Sequence, residues 1–160
     1  MLKRLAMTCL FLGLVPFSGY GLATPLTEAV VAQDLVATRR LLDAGVFVDG
    51  KDAGGYTPLM IAAGLGQVQM VELLLVAGAD PNLLDSRMGA SALHKAAQSG
   101  VPEVARLLLD HGAFIDIQSP TLGHTPLLDA VWHKKLAVVK LLLSRGAKTA
   151  LDNFPRNMIK

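Results

Sequence analysis

Cysteine is all but missing from this 160-residue chain, with Cys9 the single example. Cys9 falls inside a leader that the sequence predicts to be removed, so the mature chain can hold neither a disulfide nor a thiolate metal site. Aromatic residues are also scarce, at 5% with one Trp, against 52% hydrophobic overall. That leaves Leu, Val and Ala to fill a core, as packed helices do. Charge is not in surplus either. The net +2 comes from Lys3 and Arg4, and from Thr24 onward 13 basic residues face 13 acidic ones. A neutral body argues against nucleic acid as a partner, because that affinity rests on clustered Lys and Arg neutralising phosphates. The longest leader run, Leu5 to Val15, is 11 residues, well short of the roughly 20 needed to span a bilayer. Catalytic signatures are lacking as well. There is no Ser-His-Asp layout, no phosphate loop and no Gly-rich dinucleotide turn. No carboxylate or Cys spacing completes a metal set around His94, His124 and His133. The expectation is a non-enzyme with no cofactor and no metal.

The first 23 residues have the layout of a secretory signal peptide. Lys3 and Arg4 give a basic start, the apolar run follows, and Pro16, Ser18 and Gly19 break it. Gly21-Leu22-Ala23 offers small residues where a signal peptidase reads, so the expected cut is after Ala23. Ala6-Met7-Thr8 before Cys9 is unlike a lipoprotein box. An uncleaved anchor is the alternative. The expected location is periplasmic or secreted, with no membrane association once the leader is cut.

What the rest of the chain does have is repetition. Thr57-Pro58-Leu59-Met60-Ile61-Ala62 is matched by Thr24-Pro25-Leu26, 33 residues earlier, and by Ser91-Ala92-Leu93 and Thr125-Pro126-Leu127, each 34 further on. A Leu-Leu pair followed by two residues and a Gly keeps step, ending at Gly45, Gly78, Gly112 and Gly146. In every copy the first motif begins 21 residues before that Gly. Such a period marks a repeat array. Each repeat reads as turn, short helix, turn, longer helix. Thr24, Thr57, Ser91 and Thr125 are placed to N-cap the first helices, and Pro25, Pro58 and Pro126 follow where a missing N–H costs nothing. The second helices are expected over Leu35–Leu42, Val68–Leu75, Pro102–Leu109 and Leu136–Leu143, ended by the four glycines in left-handed geometry. The linkers 85–90 and 119–124 each carry one residue more than 52–56, which accounts for the change of period.

These motifs resemble the ankyrin repeat family, Thr-Pro-Leu-His-x-Ala through Leu-Leu-x-x-Gly-Ala. The resemblance covers residues 24 to about 150, and it is weakest in the first copy, where Gln33-Asp34 and Val46 depart from it. Only His94 matches the family's His; Thr27, Met60 and Leu128 replace it elsewhere. The implied fold is an all-α ankyrin repeat solenoid of four helix-turn-helix repeats with β-turn fingers, preceded by a signal peptide. The divisions are 1–23 for the leader, 24–150 for the repeats (24–56, 57–90, 91–124 and 125–150), and 151–160 for a C-terminal tail or partial fifth repeat. Residues 147–160 either fold over the last repeat or leave its flank exposed.

Ankyrin arrays bind through finger tips and the exposed side of the first helices. The resemblance therefore points to Tyr56, Leu65, Arg87, Met88, Gln98, His124, Trp132 and His133 as partner-binding residues. Trp, Tyr and Arg are frequent interface anchors. Trp132 is equally suited to packing against the tail or a finger, and Tyr56 to a half-buried turn. Lys134 and Lys135 extend this set into a small basic-aromatic patch suited to an acidic segment, or simply to a solvated turn. The implied function is a non-catalytic, exported, monomeric protein-interaction module. Some small exported bacterial members are linked to catalase activity, so a periplasmic stress-response enzyme is one candidate partner. The alternative is an effector or toxin-neutralising inhibitor that covers a target enzyme's active site.

Overall fold

The computed structural model describes residues 24–149. The leader, Cys9, the cut after Ala23 and the tail from residue 150 lie outside the described residues. Among the described residues the chain forms paired α-helices: α1 Pro25–Val31 with α2 Leu35–Asp43, α3 Pro58–Gly64 with α4 Val68–Val76, α5 Ala92–Ser99 with α6 Pro102–Asp110, and α7 Pro126–Trp132 with α8 Leu136–Ser144. First helices stack on first helices and second on second, which gives two layers. This is an all-α stack of helix pairs, the architecture that the resemblance implies.

The expected caps are in place. The Thr24, Thr57 and Thr125 hydroxyls accept from the N–H of Thr27, Met60 and Leu128. Loss of such a cap costs about 1 kcal/mol. At Ser91 the arrangement is richer. His94 Nδ1 accepts from the Ser91 N–H at 3.1 Å, and Nε2 donates to the His124 carbonyl of the next repeat at 3.0 Å. Each second helix runs one residue past the expected end. The apolar pattern stops at the Leu pair, but backbone bonding continues until the glycine, where φ of +81, +89, +85 and +87° closes the turn at Gly45, Gly78, Gly112 and Gly146.

The fingers show where the extra residues went. Asp52 N–H donates to the Tyr56 carbonyl, whereas Asp85 and Ser119 reach Ala90 and His124, one residue further on. Successive fingers pack closely. A Cβ on Gly55 would lie 2.5 Å from the Ser86 hydroxyl, and one on Gly89 would lie 2.5 Å from Pro120. A ladder ties the bases together: side-chain oxygens of Asp49, Asn82 and Asp116 accept from the N–H of Asp80, Phe114 and Lys148.

The core runs the length of the stack through Leu59, Leu74, Leu93, Leu108 and Leu142. At its C-terminal end the same sequence positions are not covered by any described residue. Met60 and His94 are 2% and 1% exposed, but Leu128, one repeat further, is 44% exposed. Ala63 and Ala97 are fully buried, but Val131 is 54% exposed. A cavity of about 520 Å³ lies there, lined by Leu128, Val131, Val139 and Leu143.

Candidate functional site

The period places side chains in rows across the first helices. Val31, Gly64, Gln98 and Trp132 make one row, and Glu28, Ile61, Lys95 and Asp129 make a second. Ala32, Leu65, Ser99 and His133 make a third, at the helix ends. With the fingers these rows form one face of the stack. Gly64 lies beside Lys95 in this face, where a Cβ would make only ordinary contact with Lys95 Cβ at 3.7 Å.

Two polar networks stiffen this face. In the first, the Asp85 carboxylate has no solvent exposure. It accepts from the N–H of Arg87 at 2.9 Å, of Met88 at 2.7 Å and of Ala90 at 3.3 Å. Lys95 Nζ sits 3.4 Å from the same carboxylate and 4.9 Å from the centre of the Tyr56 ring. Burial pushes the Asp85 carboxyl up, but the N–H groups of Met88 and Arg87 and the Lys95 charge outweigh it and hold it below the usual range. This bonding shapes the loop that carries Arg87 and Met88. The Ser119 hydroxyl of the next finger donates to the Met88 carbonyl.

The second network centres on Asp129, which is buried on α7. Gln98 Nε2 donates to Asp129 Oδ2 at 3.0 Å, and His124 Nδ1 lies 3.3 Å from Oδ1. His94 lies just inside. Burial lowers its pKa, helped by the charges of Lys95 and His124, against the His124 carbonyl and Asp129. Its two partners fix a neutral imidazole with the proton on Nε2.

The eight residues singled out from the sequence fall into three groups. Gln98 and His124 are joined through Asp129. Tyr56 is half-buried beneath Lys95, which links it to the Arg87 and Met88 finger through Asp85. Leu65 caps α3 and His133 caps α7, two repeats apart, while Trp132 ends α7 with 77% of its surface exposed. Lys95, Asp85 and Asp129 were not among the eight, although they hold the face in shape. The signal was available, because Lys95 and Asp129 occupy one register position in adjacent repeats. Chemically the face offers hydrogen bonds, charge and apolar contact. Among the described residues no group of three His, Cys, Asp or Glu side chains is arranged to hold a metal ion.

Comparison with known proteins agrees with this architecture. The family model for ankyrin repeats (3 copies) matches residues 8–85 and 65–153. An ankyrin repeat-containing protein of Treponema pallidum is 38% identical over 112 residues, covering 70% of this chain and 37% of its own length. Serine/threonine-protein kinase 12 of Arabidopsis thaliana is 38% identical over 105 residues, covering 64% of this chain and 22% of its own. NF-kappa-B inhibitor delta of Mus musculus is 40% identical over 85 residues, 52% of this chain and 26% of its own. The chain thus spans 22% to 37% of the length of these relatives.

Proposed function

The chain belongs to the ankyrin repeat family, and on that premise we propose that it is an exported, non-catalytic module that holds a folded protein partner against its finger and first-helix face. One observation carries this reading. Leu65 and Trp132 at first-helix ends, and Met88 and Leu122 at equivalent positions of successive fingers, are each about half exposed or more and fall on that face by repeat register. Large apolar side chains grouped on a surface mark interaction sites. Trp132 supplies the anchor, Arg87 and Met88 the adjustable finger, and the Asp85 and Asp129 networks keep both in position before binding. A periplasmic stress-response enzyme such as a catalase is the candidate partner class. It comes from the resemblance to small exported ankyrin proteins.

The test is affinity capture from a periplasmic extract with the chain as bait, alongside the double variant Trp132→Ala/Arg87→Ala. The variant is expected to keep the helical circular dichroism signal and lose the partner. Undiminished capture by the double variant would refute the proposed face.

A further inference from the structure

The neutrality of residues 24–160 conceals an uneven division of charge between the faces. On the finger and first-helix face the acids of the third and fourth repeats are already used. Asp85 is enclosed by three backbone N–H groups and Lys95, and Asp129 by Gln98 and His124. The bases are not. Arg87 stands exposed on the finger, and Lys134 is exposed directly after Trp132 and His133. Among the described residues no carboxylate lies within ion-pair reach of Arg87, Lys134 or Lys135. Glu28, at the far end in the first repeat, is the exposed acid of these rows.

The backbone adds a second, independent observation. Lys134 adopts φ +56°, the left-handed region. The matching positions in the first three repeats are Gln33, at φ +57°, and Gly66 and Gly100, at φ +70 and +83°. A Cβ at Gly66 would press on Val101 of the following repeat and one at Gly100 on the Lys135 stem, so glycine relieves crowding as well as backbone strain there. At residue 134 a side chain is tolerated, at a conformational cost of roughly 1 kcal/mol or more relative to glycine. A cation stands at that costly position beside the most exposed aromatic on the face.

We propose that the finger and first-helix face takes an acidic, extended protein segment, with an apolar side chain against Trp132 and its carboxylates toward Arg87, Lys134 and Lys135. This deepens the preceding reading and rests on it. The segment's acidic part lies over the third and fourth repeats and avoids Glu28 in the first. Charge complementarity of this kind sets which partner is accepted and how fast it arrives, more than the final affinity.

The experiment pans the full chain against a displayed library of random twelve-residue peptides. The charge-reversed variant Arg87→Glu/Lys134→Glu/Lys135→Glu is panned in parallel. Peptides enriched on the native chain should be net negative with at least one large apolar residue. They should shift the emission of Trp132, the only Trp in the chain. Their affinity should fall roughly tenfold for the variant, the sum expected of three exposed ion pairs. It should also weaken with added salt. Enrichment of neutral or basic peptides that still move Trp132 emission would overturn the charge assignment and leave the binding face standing. Enriched acidic peptides that leave Trp132 emission unchanged, or that bind the variant equally, would overturn the assignment of the acidic segment to this face. A mixed-sequence oligonucleotide that binds as tightly as the best acidic peptide would replace the protein segment with a general polyanion. If no peptide is enriched, the inference fails, and capture by the Trp132→Ala/Arg87→Ala pair judges the underlying reading separately.

Discussion

Replacing Asp85 with Ala removes one carboxylate on which both the stability and the shape of the 85–90 finger depend. Three backbone donors lose their acceptor. The Arg87 and Met88 N–H groups are near enough to solvent to recover part of the loss with water. Ala90 is buried, and its N–H has no such substitute. A buried donor left unmade costs about 1–3 kcal/mol. Lys95, with a side chain only 16% exposed, loses its counter-charge as well. The sum is about 2–4 kcal/mol, or roughly 8–15 °C in melting temperature for a domain of this size. Asp85→Asn should fall between the two. Its oxygen can serve Arg87 and Met88, but its amide would face the Ala90 N–H and Lys95. Urea denaturation followed by far-UV circular dichroism gives the energies, and hydrogen exchange at Arg87, Met88 and Ala90 localises them. The pH dependence supplies a further check. The folded Asp85 pKa lies below its unfolded value, so its contribution is fully present at neutral pH and is lost as pH falls below about 4. Stability of the Asp85→Ala protein within about 0.5 kcal/mol of the parent, a typical surface effect, would refute this account of the finger.

Four further outcomes are expected. His94→Leu strands the Ser91 N–H and the His124 carbonyl, a loss of about 2–3 kcal/mol at pH 7 by denaturant titration. Because burial lowers the His94 pKa, the parent's stability from this group is complete above about pH 6.5 and lost on acidification, and the variant should lack that slope. Gly55→Ala should cost more than Gly78→Ala: both have positive φ, but only the first drives a Cβ into the next finger, and parallel thermal melts will rank them. Thr38 on α2 is fully buried with an unpartnered hydroxyl, so Thr38→Val should raise stability by about 1 kcal/mol in urea titration. Trp132→Ala should leave the melting temperature within about 2 °C, since so exposed a ring contributes little to folding.

Much of the fold was legible because each signal occurred four times. The Thr or Ser starts, three of them followed by Pro, marked the first helices, and the glycines marked the ends of the second. The boundary error was one residue at Asp43, Val76, Asp110 and Ser144, all exposed positions that take no part in the buried stripe from which the ends were read. The site was less legible. Position along the repeat places residues such as Trp132, Leu65 and Met88 on first-helix ends or finger tips. It does not reveal which polar groups are already engaged by neighbours 30 or so residues away. Gln98 and His124 look like open contact residues in the sequence, yet each is engaged with Asp129. Tyr56 looks like an anchor, yet its ring is occupied by Lys95. Asp85 and Asp129 were passed over because carboxylates on a finger or a short helix look solvated until the neighbouring repeat is placed over them.

The uncovered end at Leu128, Val131 and Leu143 presents the positions that Met60, Ala63 and Leu75 present to the tier beyond them. Residues 91–124 duplicated after His124 would therefore meet, at both junctions, contours like those they already fit. Length is then an adjustable property of this scaffold: one added tier would widen its grip by a finger and a helix pair, without redesign of the existing seams.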